Sequence, residues 1–166
     1  TAEQISTLDG LIIPGGESTV IGQMSLVNGA IKKIKEKIES GMPVFGICAG
    51  MVFLSKNSQD RIVGNVDQPL LDILDVKIER NSFGRQKDSF EAKISMEPIG
   101  ISSFHGVFIR APSVSETGSG VEVLAKFNEK IVAVKQGNVI ATAFHPELTK
   151  DTSLHKSFVK LVDNQS

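Results

Sequence analysis

Three features of the sequence predict an α/β fold. Two short apolar runs without alternation, Leu11-Ile12-Ile13 and Val44-Phe45-Gly46-Ile47, each lead through glycine into a helical stretch. From Ile73 onward the apolar spacing changes to period two. The chain then closes on an amphipathic segment, 152–162. Strand, helix, strand, helix in that order implies right-handed crossovers and a parallel sheet. The later pattern adds antiparallel strands, giving a three-layer domain.

The first strand reads Asp9–Ile13 and stops at Pro14-Gly15-Gly16, beyond which Ser18 or Thr19 can cap a helix. The helical stretch runs to Ser40 with a break at Asn28-Gly29, and Ile31, Ile34 and Ile38 share one face of its second half. Gly41 stops it. Pro43–Ile47 is the second strand, and Met51-Val52-Phe53-Leu54 opens a helix after Cys48-Ala49-Gly50. The polar stretch Ser55–Pro69 reads as a loop. Val76 and Ile78, then Phe90, Ala92 and Ile94, alternate with polar residues, and Val107–Ile109 makes another short strand. Val121–Phe127, Ile131–Gln136 and Val139–Phe144 read as a meander turning at 128–130 and 137–138. Leu154, Phe158, Leu161 and Val162 lie on one side of the last helix, 152–162.

The 166 residues suit one domain, 1–166, large enough to hold a core without staples. Eighteen Lys and Arg against 19 Asp and Glu leave a net charge of −1, with no basic excess for nucleic acid. Trp and Tyr are absent, so few rings are available to stack on bases. One cysteine excludes an internal disulfide framework and a cysteine-based zinc site. No apolar run approaches a membrane span, and the residues at the start, Thr-Ala-Glu-Gln, show no signal-peptide pattern. The expected setting is a reducing cytoplasm.

Gly46-Ile47-Cys48-Ala49-Gly50 has the form Gly-x-nucleophile-x-Gly at a strand-to-helix junction. In that geometry a tight turn exposes the side chain and small neighbours permit the strained backbone. The Ala49 N–H would face a developing oxyanion, and the helix N-terminus would favour a thiolate. A lone buried cysteine acting as a small hydrophobe is the plain alternative. At Phe144-His145-Pro146-Glu147, His145 and Glu147 lie two apart, so an extended chain puts them on the same side. A histidine taking the Cys48 proton while Glu147 orients it completes a Cys-His-acid set; the plain alternative is a turn histidine beside a solvated glutamate. His105 and His155 lack such a setting and read as structural or solvated. Pro14-Gly15-Gly16-Glu17-Ser18-Thr19 brings backbone close to a ligand, and Gly16 can supply a second oxyanion donor. It lacks the lysine of a phosphate loop.

Together these segments resemble the class I, triad-type glutamine amidotransferases. Within that family they are most similar to the glutaminase subunits of pyridoxal 5′-phosphate synthase. The narrower likeness rests on Pro14–Thr19, Glu79–Gln86 (Glu-Arg-Asn-Ser-Phe-Gly-Arg-Gln), Asp88–Glu91, Phe108–Pro112 and Phe144–Thr149. The resemblance implies a flavodoxin-like, mostly parallel sheet flanked by helices, with additional antiparallel strands. In the family a first strand–helix unit precedes the segment that opens here at Thr1, so the domain is short at its N-terminus. The implied reaction is hydrolysis of L-glutamine to glutamate and ammonia through a Cys48 thioester, with His145 as base and acid and Glu147 orienting it. Gly16 and Ala49 would hold the oxyanion. Gly16, Glu17, Ser18, Arg80, Ile109 and Arg110 would bind glutamine. The implied partner is the synthase subunit, in a hetero-oligomer making vitamin B6; no cofactor, metal, nucleic acid or membrane is implied. Two other readings fit the same residues: a cysteine hydrolase of another γ-glutamyl substrate, and a non-catalytic partner-binding module.

Overall fold

The computed structural model describes residues 2–27, 29–60, 64–65, 68–83 and 89–165. Asn28 of the expected helix break, and Gly84, Arg85, Gln86 and Asp88 of the motifs above, lie outside the described residues.

A short helix not read from the sequence, α1 (Ala2–Ser6), precedes β1 (Leu11–Ile13). The long helical stretch is two helices, α2 (Ser18–Val27) and α3 (Ala30–Glu39), with Gly29 between them at φ 63°. Ser18 is the first residue of α2 rather than its cap: the Ile21 N–H donates to the Glu17 carbonyl at 3.1 Å, which places Glu17 at the cap position. The Ser18 hydroxyl instead donates to Gln68 Oε1 at 3.2 Å. Ile34 and Ile38 of α3 are buried, as the one-sided spacing requires. Next come β2 (Val44–Ile47) and α4 (Ala49–Leu54), every residue of which is buried.

The segment expected as a loop, Ser55–Pro69, holds two strands, β3 (Ser55–Asp60) and β4 (Gly64–Asn65). The inward side chains of β3 are polar and are satisfied by hydrogen bonds instead of apolar packing. Ser55 Oγ donates to the Val52 carbonyl at 2.7 Å, and Ser58 Oγ accepts from Gln68 Nε2 at 3.0 Å. β5 (Leu74–Arg80) shows the expected period-two burial. Among the described residues β6 (Ser89–Met96) pairs only with β7 (Ile101–Ile109), which is longer than the short strand expected there. β8 (Ser113–Thr117) is a strand not expected from the sequence. β9 (Glu122–Phe127), β10 (Lys130–Gln136) and β11 (Val139–Thr142) form the meander, and Asn128 and Glu129 turn its first hairpin with φ of 47° and 61°. α5 (Ser153–Asp163) ends the chain, its Phe158 ring 5.9 Å from that of Phe45.

Nine strands among the described residues form one mixed sheet, in the order β1-β2-β11-β10-β8-β5-β3-β4, with β9 also on β10. The pairs β1/β2, β2/β11 and β3/β5 are parallel, and the others in this sheet are antiparallel. The fold class is α/β, as expected. Because β1, β2 and β11 are mutually parallel, their C-terminal ends share one edge. Pro14-Gly15-Gly16, Cys48 and the segment leading to His145 all leave the sheet there, where open parallel sheets bind ligands.

Candidate functional site

The turn after β2 is fixed by what cannot fit around it. A Cβ on Gly46 would lie 2.5 Å from Leu54 Cδ1 and 2.9 Å from the Gly50 carbonyl carbon. A Cβ on Gly50 would run into the carbonyl oxygen of Ile13 in β1. Both glycines therefore let α4 press against β1 and β2. Between them Cys48 takes φ 49° and ψ −101°, a conformation that costs a residue with a side chain about 1–3 kcal/mol. The Cys48 N–H is tied to the Thr142 carbonyl of β11 at 2.7 Å. This is the sharp bend expected of Gly-x-Cys-x-Gly.

The thiol departs from expectation in its ionisation. Burial pushes Cys48 up from 9.0 to about 11, and the Glu147 carboxylate adds to the rise. The Ala49 N–H and Arg110 pull the other way and do not prevail. α4 is only six residues long, and the N–H at its start does not offset the loss of water around sulfur. Cys48 Sγ donates to the Ile109 carbonyl at 3.9 Å.

His145 follows β11 closely, its N–H donating to the Val107 carbonyl at 2.8 Å. Its Nδ1 stands 2.7 Å from Glu147 Oε1. The expected extended Pro146 segment is instead a single 3₁₀ turn, Pro146–Leu148, which still puts His145 and Glu147 on one side. A carboxylate only accepts, so Nδ1 donates, and in the neutral form of the ring the lone pair lies on Nε2. The imidazole is mostly buried at 12% exposure. Gly15 makes room for it, because a Cβ there would run into His145 Cε1. The sequence pattern offers the paired glycines for close approach to a ligand or for a tight turn before a helix cap. The space they leave is shared between ligand and imidazole.

One cavity of about 410 Å³ gathers Cys48, Ala49 and His145 with Gly16, Glu17, Ser18, Arg80, Ile109 and Arg110. Every residue expected at the site thus lines it except Glu147, which reaches it through His145. Val52, Asn81 and Pro112 also line it and were missed. Asn81 and Pro112 flank arginines already singled out, which was the signal available in the sequence. Gly16 has φ 146°, open to glycine and strained for other residues. Arg80 Nη2 and Glu17 Oε1 form an ion pair at 3.2 Å. The Ser18 hydroxyl is taken up by Gln68, so Ser18 offers the cavity its backbone. His105, at 2.8 Å from Glu91 Oε2, belongs to the exposed face of the β6/β7 hairpin. Among the described residues no group of three or more His, Cys, Asp or Glu is placed to hold a metal, and no helix is long and apolar enough to cross a membrane.

In comparison with known proteins, residues 1–164 match the SNO glutamine amidotransferase family. The chain is 66% identical over 162 residues to the pyridoxal 5′-phosphate synthase subunit PdxT of Nitrosopumilus maritimus (strain SCM1), covering 98% of this chain and 79% of that protein. It is 48% identical to the subunit of the same name from Moorella thermoacetica (strain ATCC 39073 / JCM 9320), covering 97% and 83%. A crystal structure described as a glutamine amidotransferase superposes with a TM-score of 0.90 at 45% identity, covering 98% of this chain and 84% of that one.

Proposed function

The chain belongs to the SNO glutamine amidotransferase family, and we propose that it is the glutaminase subunit of a pyridoxal 5′-phosphate synthase. It hydrolyses L-glutamine to L-glutamate and ammonia, and the ammonia passes to the synthase subunit. One observation carries the chemical assignment: a single cavity holds Cys48 and His145, and Glu147 sits 2.7 Å behind the imidazole.

The reaction follows from this arrangement. Burial keeps the Cys48 thiol protonated at neutral pH, so attack needs a base. His145 Nε2 takes the proton as sulfur bonds to the side-chain carboxamide carbon, and the C=O electron pair moves to oxygen. The backbone N–H groups of Gly16 and Ala49 receive that oxyanion. Collapse breaks the C–N bond, His145 returns the proton to nitrogen, and ammonia leaves a γ-glutamyl thioester on Cys48. A water, deprotonated by His145, attacks the thioester; glutamate departs and the thiol is restored. Glu147 holds the imidazole in one tautomer and stabilises its cation in each half of the cycle.

Glutamine carries an α-carboxylate and an α-ammonium. Arg80 and Arg110 suit the first, Glu17 the second, and the backbone at Gly16, Ser18 and Ile109 completes the wall. The lone cysteine suits a reducing cytoplasm, the compartment we assign. The test is ammonia release from glutamine by the chain alone and with the synthase subunit, run beside Cys48→Ala. The unsubstituted complex should turn over, and the variant should fall to background with its fold retained. Turnover near that of the unsubstituted protein in Cys48→Ala would refute the assignment.

A further inference from the structure

The two arginine-bearing turns of the cavity meet at a buried hydroxyl that nothing above uses. Ser82, 1% exposed, follows Arg80 and Asn81 at the end of β5; Ser113, 3% exposed, follows Arg110, Ala111 and Pro112 at the start of β8. Their hydroxyl oxygens are 2.6 Å apart. Lys130, the first residue of β10, donates from Nζ to Ser82 Oγ at 2.7 Å, and Ser82 Oγ donates to Glu79 Oε1 at 3.2 Å. Lys130 Nζ also lies 3.8 Å from Glu79 Oε1 and 5.9 Å from the centre of the Phe83 ring.

The valences at Ser82 close in one way. An ammonium only donates and a carboxylate only accepts. Ser82 therefore gives its single proton to Glu79 and accepts from Lys130, and Ser113 supplies the remaining donation. The Ser82 N–H donates to the Ala111 carbonyl at 3.1 Å, joining the two turns a second time. None of Ser82, Ser113 and Lys130 lines the cavity. Both turns they join carry a non-glycine residue at positive φ: Asn81, a type that tolerates it, at 52°, and Arg110 at 43°, a value held only where surrounding structure imposes it.

We propose that Lys130, Ser82 and Ser113 are positioning residues for substrate recognition: together with Glu79 they clamp the β5 and β8 turns so that Arg80 and Arg110 meet the α-carboxylate of the substrate in one fixed arrangement. The clamp acts on recognition of the amino-acid head group and not on the thiol. This rests on the glutaminase reading above.

The experiment measures KM and kcat for glutamine in the complex with the synthase subunit, for Lys130→Met, Ser113→Ala and the conservative Lys130→Arg. Alongside it, the rate of Cys48 alkylation by iodoacetamide, which carries no amino-acid head group, reads the thiol alone. Lys130→Met should raise KM by about tenfold, with kcat and the alkylation rate within about twofold of the unsubstituted protein. Ser113→Ala should raise KM less, and Lys130→Arg should restore most of it. KM unchanged in both Lys130→Met and Ser113→Ala, with normal turnover, would overturn the clamp alone. So would parallel changes in KM, kcat and alkylation, which mark general loosening. An unsubstituted complex that releases no ammonia would remove the glutaminase reading and the clamp with it.

Discussion

On the nucleophile side of the cavity, Cys48, Ala49 and Val52 are 8%, 4% and 3% exposed, set in backbone packed too closely for a Cβ at Gly46 or Gly50. On its charged side, the Glu17 side chain is 54% exposed and Arg80 20%, and Arg110 is exposed as well. The first side is held by exclusion: α4 and β1 leave one path for the chain, and the cost of the Cys48 backbone is carried by the packing of the whole sheet edge. The second side is held by hydrogen bonds and opposite charges, each with water as a competitor. The difference separates chemistry from recognition. In the proposed reaction sulfur and imidazole need fixed geometry, whereas the head-group side would exchange its internal ion pair for a substrate. Substitutions on the two sides should therefore fail differently.

The largest effect is expected where the fixed side has a polar support. Glu147→Gln replaces an acceptor by an amide that also donates, so His145 Nδ1 loses its fixed partner at 2.7 Å. The glutaminase kcat should fall by about 10³-fold while the thermal midpoint stays nearly unchanged. A loss below about tenfold would show that the carboxylate does not orient the base.

Gly50→Ala tests exclusion itself. The added carbon meets Ile13 backbone, which cannot move without separating α4 from β1. The expected destabilisation is about 3 kcal/mol or more, read from the denaturant midpoint. Gly120→Ala, where a Cβ meets nothing within 4 Å, should stay within about 0.5 kcal/mol. Equal behaviour of the two variants would show that the elbow glycines are not sterically required.

The same burial has a pH signature. The folded Cys48 holds its proton to about pH 11 and the unfolded one to about 9. Between those values the folded state binds more protons, so raising the pH favours unfolding. The contribution is fully present below pH 9 and lost as pH rises through 11, and is at most about 3 kcal/mol. Of the unfolding free energies of the unsubstituted chain and Cys48→Ala, followed from pH 7 to 11, that of the unsubstituted chain should therefore fall relative to the variant's above pH 9. Parallel curves would mean that the thiol is better solvated than its surroundings indicate.

How legible each side was follows from the same contrast. Gly46-Ile47-Cys48-Ala49-Gly50 and His145-Pro146-Glu147 could be read because each requirement lies within five residues, where a steric or hydrogen-bonding need leaves a local pattern. The state of the thiol could not, because its burial is built by distant strands. β3 looks like a loop in the sequence because Ser55 and Ser58 are buried polar residues whose partners, Val52 and Gln68, come together only in the folded chain. The clamp at Ser82 joins residues 31 and 48 positions away. Neither arrangement has a period or a motif. Arg80 and Arg110 could be named from the family resemblance, but what keeps them together lies in β8, which the sequence reading missed, and β10.

The smallest effect is expected at the ion pair. Arg80 and Glu17 face each other at 3.2 Å, and the pair is half in water, so its own worth is about 0–1 kcal/mol. A weak pair suits the proposed binding mode, in which glutamine separates it: the α-ammonium would take the Arg80 position beside Glu17, while the α-carboxylate would take the Glu17 position beside Arg80. Glu17→Gln removes one charge with little change in volume. It abolishes both the internal pair and the partner of the ammonium, and since the internal pair is weak, the second loss dominates. KM for glutamine should rise by about tenfold with kcat within about twofold, and the stability should hardly move. A glutamine analogue lacking the α-amino group should inhibit the variant at least as well as the unsubstituted protein, because it makes no contact with Glu17 and finds Arg80 already released from the pair. If KM falls in Glu17→Gln, the internal pair outweighs the contact it gives way to, and Glu17 closes the charged side instead of recognising substrate.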